Sequence, residues 1–85
     1  MDVTVNEFQK SATERVVAKI REFHGRRYVD IRVHYLANIS DNTYAPTKKG
    51  IMLSPDLLPE FADMVAKLVE ACGSDGALNG EPGEP

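Results

Sequence analysis

The chain has 85 residues, 42% hydrophobic and 27% charged, with a formal net charge of −3 at pH 7 and a single cysteine, Cys72. That length holds one domain with a thin core. The lone cysteine rules out an intramolecular disulfide, and no run approaches the roughly 18 apolar residues of a membrane span. The net charge argues superficially against a polyanionic partner, but the charge is segregated. Residues 14–50 carry eight Lys or Arg against four acids, and residues 51–85 are acidic. Local fields matter more to a charged ligand than the net value.

Residues 1–13 show no sustained period and read as a flexible N-terminal arm. Their first twelve residues, MDVTVNEFQKSA, lack the apolar run of a signal peptide. The expected location is cytoplasmic and nucleoid-associated, or nuclear in a eukaryotic source.

Residues 15–23, RVVAKIREF, alternate: Val16, Ala18 and Ile20 fall on one face, Lys19, Arg21 and Phe23 on the other. That is a half-buried strand by period two. Gly25 marks a tight turn, and residues 26–36 alternate again. Val29, Ile31, Val33 and Tyr35 share one face; Tyr28, Asp30, Arg32 and His34 share the other. Strand, glycine turn and strand predict a β-hairpin. Asp30, inside a basic strand, is expected to pair with Arg32 or with a cross-strand base such as Arg21.

Residues 37–48 are rich in turn formers, with a short strand expected at Thr43–Ala45 that Pro46 ends or confines to an edge. Residues 49–53, KGIML, read as a fourth short strand. Gly50 answers a backbone need, a bend or a close approach. Ser54, Pro55 and Asp56 then open a helix. Leu57, Leu58, Phe61, Met64, Val65, Leu68, Val69 and Cys72 recur at steps of three and four. Pro59 delays or bends its first turn, and Gly73 suits its end. Residues 73–85, GSDGALNGEPGEP, have the composition of a disordered acidic tail.

The pattern is α+β, in the order β-β-β-β-α. One domain is expected over 14–72. Four short strands cover only part of so wide an apolar stripe, so Leu58, Phe61, Val65 and Leu68 are expected to meet a second copy across a two-fold axis.

Little points to catalysis. HExxH, CxxC, GxSxG and Walker patterns are absent, and Cys72 has no basic neighbour in sequence. His24 and His34 show no metal-ligand spacing. Neither a cofactor nor a metal is expected, and the chain does not read as an enzyme. Lys19, Arg21 and Phe23, by contrast, share a basic, water-facing strand face. An aromatic there either packs under a loop or stacks on bases while the cations follow phosphates.

Several stretches together carry a resemblance. They are Glu22–Phe23–His24–Gly25, Val29–Asp30–Ile31–Arg32, the run from Pro46 through Lys48, Lys49 and Gly50 to Leu53, and Pro55–Asp56. In this order and spacing, over about residues 15–71, the chain resembles the positive cofactor four family of transcriptional coactivators. The missing serine-rich or basic extension suits a compact prokaryotic-type member. The resemblance implies a curved four-stranded antiparallel sheet followed by one C-terminal helix, dimerising through that helix. It also implies binding of single-stranded DNA with little sequence preference. Phe23 matches the family's base-stacking phenylalanine, and Tyr35 falls where the family has a stacking tryptophan. Lys49 matches a backbone-contacting lysine, with Lys48 beside it. Arg21, Arg26 and Arg32 fall at or near basic positions, whereas His24 stands where a lysine is common.

Tyr35 shares parity with Val29 and Ile31, so a regular strand aims it at the core as a core or rim aromatic; a bulge or strong twist near Val33 would re-aim it. Tyr28 and Tyr44 are further aromatic candidates. Expected partners are single-stranded DNA (or RNA), a second copy of the chain, and transcription or replication proteins, with no membrane. The alternatives are a protein-interaction adaptor on the same fold and a single-stranded RNA module. A duplex-DNA regulator lacks a recognition helix.

Overall fold

The computed structural model describes residues 2–74. Four strands form one antiparallel sheet in the order β1-β2-β3-β4: β1 Asp2–Ser11, β2 Glu14–Phe23, β3 Arg26–Asn38 and β4 Thr43–Leu53. A 3-10 turn, Pro55–Leu57, and one helix, α1 Leu58–Ser74, follow in the chain. The chain divides into two compact units, Met1–Pro55 and Asp56–Pro85. None of the described helices is long and apolar enough to cross a membrane.

The central hairpin follows from alternation and turn chemistry. β2 and β3 pair without a break from Glu14↔Tyr35 to Phe23↔Arg26. The turn between them has positive φ at both central residues, His24 at 51° and Gly25 at 78°. Two such residues define the type I′ turn, whose twist matches that of the flanking strands. A side chain at position 24 tolerates this less well than glycine does.

The register sorts the hairpin into two faces. One carries Arg15, Val17, Lys19, Arg21 and Phe23 from β2, opposite His34, Arg32, Asp30, Tyr28 and Arg26 from β3. The other carries Val16, Ala18 and Ile20, opposite Val33, Ile31 and Val29, with Tyr35 paired to Glu14 at its end. We call these the charged face and the aliphatic face.

Both edge strands differ from the expectation. Residues 2–11, expected in a flexible arm, form β1. Its register with β2 slips between Thr4 and Asn6 and again between Gln9 and Ser11. The first slip loops out Val5, so Val3 and Phe8 pair with Ile20 and Val16 on the aliphatic face despite opposite parity in sequence. That change of phase hides the strand from a period-two reading. The two short strands expected at 43–45 and 49–53 are one strand, β4. Its pairing passes from Arg32↔Gly50 to His34↔Pro46, so Thr47, Lys48 and Lys49 together oppose the single residue Val33. Pro46 is accommodated because β4 is an edge strand. Gly50 is a close approach: a Cβ there would lie 2.6 Å from the Ile31 carbonyl oxygen and 2.8 Å from Arg32 Cα.

The core is thin. Among the described residues the buried apolar side chains are Val17 and Val29, and the buried polar ones are Asp30 and His34. In the second unit, a 3-10 turn occupies the expected first helical residues, and Pro59 is the second residue of α1, where its missing N–H costs no intrahelical bond. Leu58, Met64, Val65, Leu68 and Val69 are all exposed. The helix runs through Gly73 to Ser74. The remainder of the acidic tail expected over 73–85 lies outside the described residues.

Candidate nucleic-acid interface

Phe23 closes β2 at the hairpin turn and keeps 41% of its surface exposed. Two neighbours hold its ring. The Arg21 guanidinium carbon sits 5.0 Å from the ring centroid, and the Tyr28 ring lies 6.0 Å away, tilted by 53°. Both contacts are geometrically favourable for a quadrupolar ring. Arg26 is Phe23's partner across the turn; it is exposed and makes no ion pair or side-chain hydrogen bond among the described residues, whereas Arg27, paired with Glu22, falls on the aliphatic face. An exposed aromatic beside an uncommitted cation is what stacking on a base and neutralising its phosphate requires.

Beneath this tip lies an ionic cluster. Asp30, 4% exposed, accepts from Arg21 Nη1 at 3.2 Å and from Arg32 Nε at 3.0 Å. Arg21 Nε also lies 3.3 Å from Asp2 Oδ2 on β1, at ion-pair distance but out of line for a hydrogen bond, which leaves it a buried donor without an acceptor. Asp30 thus pairs with both expected arginines. A buried carboxylate is tolerable only when paired and hydrogen-bonded. The cluster explains why Arg21 and Arg32 are partly buried and fixed.

The cluster continues into β4. Arg32 Nη1 donates to the Thr47 carbonyl at 3.0 Å. The Thr47 hydroxyl donates to the Val33 carbonyl at 2.7 Å and accepts from the Lys49 backbone N–H at 3.1 Å. These bonds fix a bulge carrying two exposed lysines, Lys48 and Lys49, neither of which has a side-chain partner among the described residues.

Tyr35 is 47% exposed but does not join Phe23. The irregularity opposite Val33 falls in β4, while the β2–β3 ladder runs on unbroken, so Tyr35 keeps the aliphatic face. Its cross-strand partner Glu14 is held below the usual carboxylate range by a hydrogen bond from Lys10, then by the charges of Lys10 and Lys49. The candidate residues fall into two loci. Phe23, Arg21, Arg26 and Arg32 share the charged face; Tyr35 lies on the other, two residues along β3 from Val33, which the bulge carrying Lys48 and Lys49 opposes.

Tyr44 is engaged rather than open. The Arg15 guanidinium carbon lies 4.1 Å from its ring centroid, and its hydroxyl accepts from Gln9 Nε2 at 3.1 Å. His34 is buried; burial first, then the charge of Lys19, push its pKa below the ordinary histidine value, which disfavours the cation. The described residues hold no cluster of three or more His, Cys, Asp or Glu able to bind a metal, and Cys72 is exposed. Sequence reasoning missed Thr47; a threonine ahead of two lysines, able to bond its own backbone two residues on, was a weak signal for it.

Comparison with known proteins gives this geometry a context. Residues 8–64 match the family model described as Transcriptional Coactivator p15 (PC4). Among solved structures, the chain is similar to a PC4 homolog from Burkholderia pseudomallei in two crystal forms. The tetragonal form has 35% identity and a TM-score of 0.67, covering 84% of this chain and 97% of that one. The orthorhombic form has 38% identity and a TM-score of 0.66, covering 81% and 86%. A bacteriophage T5 homolog of the eukaryotic coactivator PC4, implicated in recombination-dependent DNA replication, shares the fold at 22% identity and a TM-score of 0.56, covering 92% and 84%. No curated protein sequence matches. The family is one of coactivators and not of enzymes, and its model spans the last four residues of β1, all of β2, β3 and β4, and the first seven residues of α1. With more than half of its residues inside that match, and with a sheet-then-helix order shared by the solved homologs, the chain belongs to the PC4 family of transcriptional coactivators.

Proposed function

We propose that the protein is a homodimeric single-stranded-DNA-binding protein of the transcriptional coactivator type, acting with little sequence preference where the cell keeps its DNA. The observation that carries this reading is the hairpin tip. Phe23 is exposed, braced by Arg21 and Tyr28, and paired across the turn with Arg26, which has no protein partner among the described residues. Stacking accepts any base, and phosphate contacts carry no sequence information, so the two together bind unpaired strands generally.

Each residue has a part. Phe23 and Tyr35 supply stacking surfaces at the two loci. Arg26, Lys48 and Lys49 are uncommitted and contact phosphates. Arg21 and Arg32 are tied to Asp30, so they contribute positive field and rigidity. Dimerisation buries the exposed stripe of α1, with Leu58, Phe61, Val65 and Leu68 against the same residues of a second copy. A thin core of this kind is stabilised by such association.

The test is fluorescence anisotropy on a labelled mixed-sequence oligonucleotide of about 20 nucleotides, with wild type and Phe23→Ala. Wild type is expected to bind, more weakly as salt rises, and the variant to lose about 1–3 kcal/mol. A flat salt response with an unaffected variant would instead favour a protein-interaction adaptor on the same fold.

A further inference from the structure

The β4 bulge is more than an interruption of the ladder. It opposes Val33, the one residue between Arg32 and His34 that the β3–β4 register skips. A skipped residue leaves a carbonyl without its ladder donor, and the Thr47 hydroxyl fills that place at 2.7 Å. The same oxygen accepts the Lys49 backbone N–H at 3.1 Å, and the Thr47 carbonyl accepts Arg32 Nη1 at 3.0 Å. One residue therefore satisfies three polar groups that the bulge would otherwise strand. It also ties the bulge through Arg32 to the buried Asp30. On the far side Gly50 closes the bulge by lying directly on Ile31 and Arg32.

We infer that Thr47 is a positioning residue for nucleic-acid binding: by pinning the bulge it holds Lys49 at the Tyr35 end of the hairpin, making a second contact locus apart from Phe23. This rests on the single-strand reading above. Three observations support it together. The bulge carries two exposed lysines without side-chain partners among the described residues. The bulge that carries Lys49 opposes Val33, two residues before Tyr35 on the same face of β3. Tyr35 is an exposed aromatic on the face opposite Phe23. A lysine on an unpinned bulge would sample many positions, and the ordering cost would be met at each binding event. A pinned backbone removes part of that cost, so the phosphate contact is realised more fully.

Arg32 takes a different role as a result. It acts on the strand through Thr47 and Asp30, with no direct contact of its own.

The experiment measures single-stranded oligonucleotide affinity across a salt series for wild type, Thr47→Val, Thr47→Ser, Lys49→Ala and the Thr47→Val/Lys49→Ala double variant. Valine keeps the shape and deletes the hydroxyl; serine keeps the hydroxyl. Thr47→Val is expected to bind several-fold more weakly, with the slope of log affinity against log salt falling by about 0.7 for each phosphate no longer neutralised. Thr47→Ser should stay near wild type. In the Lys49→Ala background the Thr47→Val change should have almost no further effect, because both remove the same interaction.

A merely structural threonine gives a different pattern: unchanged salt slope, or losses that add to those of Lys49→Ala. Either result overturns the inference. So does a Thr47→Ser variant as impaired as Thr47→Val. Should Thr47→Val fail to fold by circular dichroism, the decision passes to two cycles on surface residues. Lys49→Ala and Tyr35→Ala must then be non-additive, while Lys49→Ala and Phe23→Ala add; additivity in both cycles overturns the inference. Wild type that fails to bind single strands at low salt removes the single-strand reading itself, and this inference with it. Wild-type binding with an unaltered Thr47→Val removes this inference alone.

Discussion

The central hairpin and the edge strands of the sheet are built on different principles. β2 and β3 pair in unbroken register over ten residues each side, and their turn has the two positive φ values that such a hairpin demands. β1 and β4 each break register twice or by more than one residue. The regular pair gives fixed positions: Phe23 at the tip, Asp30 buried between two arginines. The irregular edges give re-aimed side chains, with Phe8 brought into phase with Val3 and two lysines lifted out of the ladder. Bulges at edges also discourage unwanted strand pairing. In this sheet, rigidity and uncommitted charge are supplied by different strands.

The largest effect expected from breaking that division lies in the ionic cluster. Asp30→Ala leaves Arg21 and Arg32 partly buried without their acceptor, and should cost about 3–5 kcal/mol of stability by urea denaturation. A loss under about 1 kcal/mol would mean that the cluster does not brace the hairpin.

Gly50→Val comes next, because its Cβ would meet backbone atoms that cannot swing aside. Overpacking of this kind costs about 1–3 kcal/mol. Loss of amide hydrogen-exchange protection should fall on β4 and spare the β2–β3 ladder. Uniform loss across all four strands would erase the distinction between hairpin and edge.

Leu68→Asp addresses the second unit. It places a charge in the exposed stripe of α1 and should shift sedimentation from dimer to monomer at micromolar concentration. Wild type should melt at higher temperature as concentration rises, since a dimer's stability depends on protomer concentration. A concentration-independent melt would remove the dimer.

The smallest effect is a pH dependence. His34's folded pKa lies below its unfolded value of about 6.5, because burial disfavours the cation. The unfolded state therefore binds more protons between those two values. The associated stability is complete above the unfolded pKa and is lost as pH falls toward the folded one. Thermal melts at pH 7.5 and 5.5 should show this decline in wild type and a weaker one in His34→Gln. An equal decline in both would assign it to other groups.

The sequence made the hairpin legible because nothing disturbs its alternation. Asp30's partners and Gly50's close approach could be argued from it, and the count of four strands before a helix matched because a missed β1 offset the division of β4 into two. β1 was hidden for a physical reason: the bulge at Val5 puts Val3 and Phe8 out of phase, so no period survives in the string. β4 was read as two short strands, since Pro46 and the two residues after it read as a break although Thr43–Leu53 is one strand. The same bulge made the site only half legible. Residue types and family resemblance pointed to Phe23, Tyr35, Lys48 and Lys49. That Phe23 and Tyr35 occupy opposite faces depended on which strand carried the irregularity near Val33, and alternation cannot say that.

The central claim is that the two loci prefer unpaired strands to duplex. A competition measurement tests it most directly: a labelled single-stranded oligonucleotide bound by wild type is displaced with unlabelled single strand or with duplex of the same sequence, at low and physiological salt. The account predicts efficient displacement by single strand at both salts and weak displacement by duplex, the gap widening as salt screens the phosphate contacts that duplex shares. Equal displacement by both would show that charge alone binds, and that the exposed aromatics do not stack on bases.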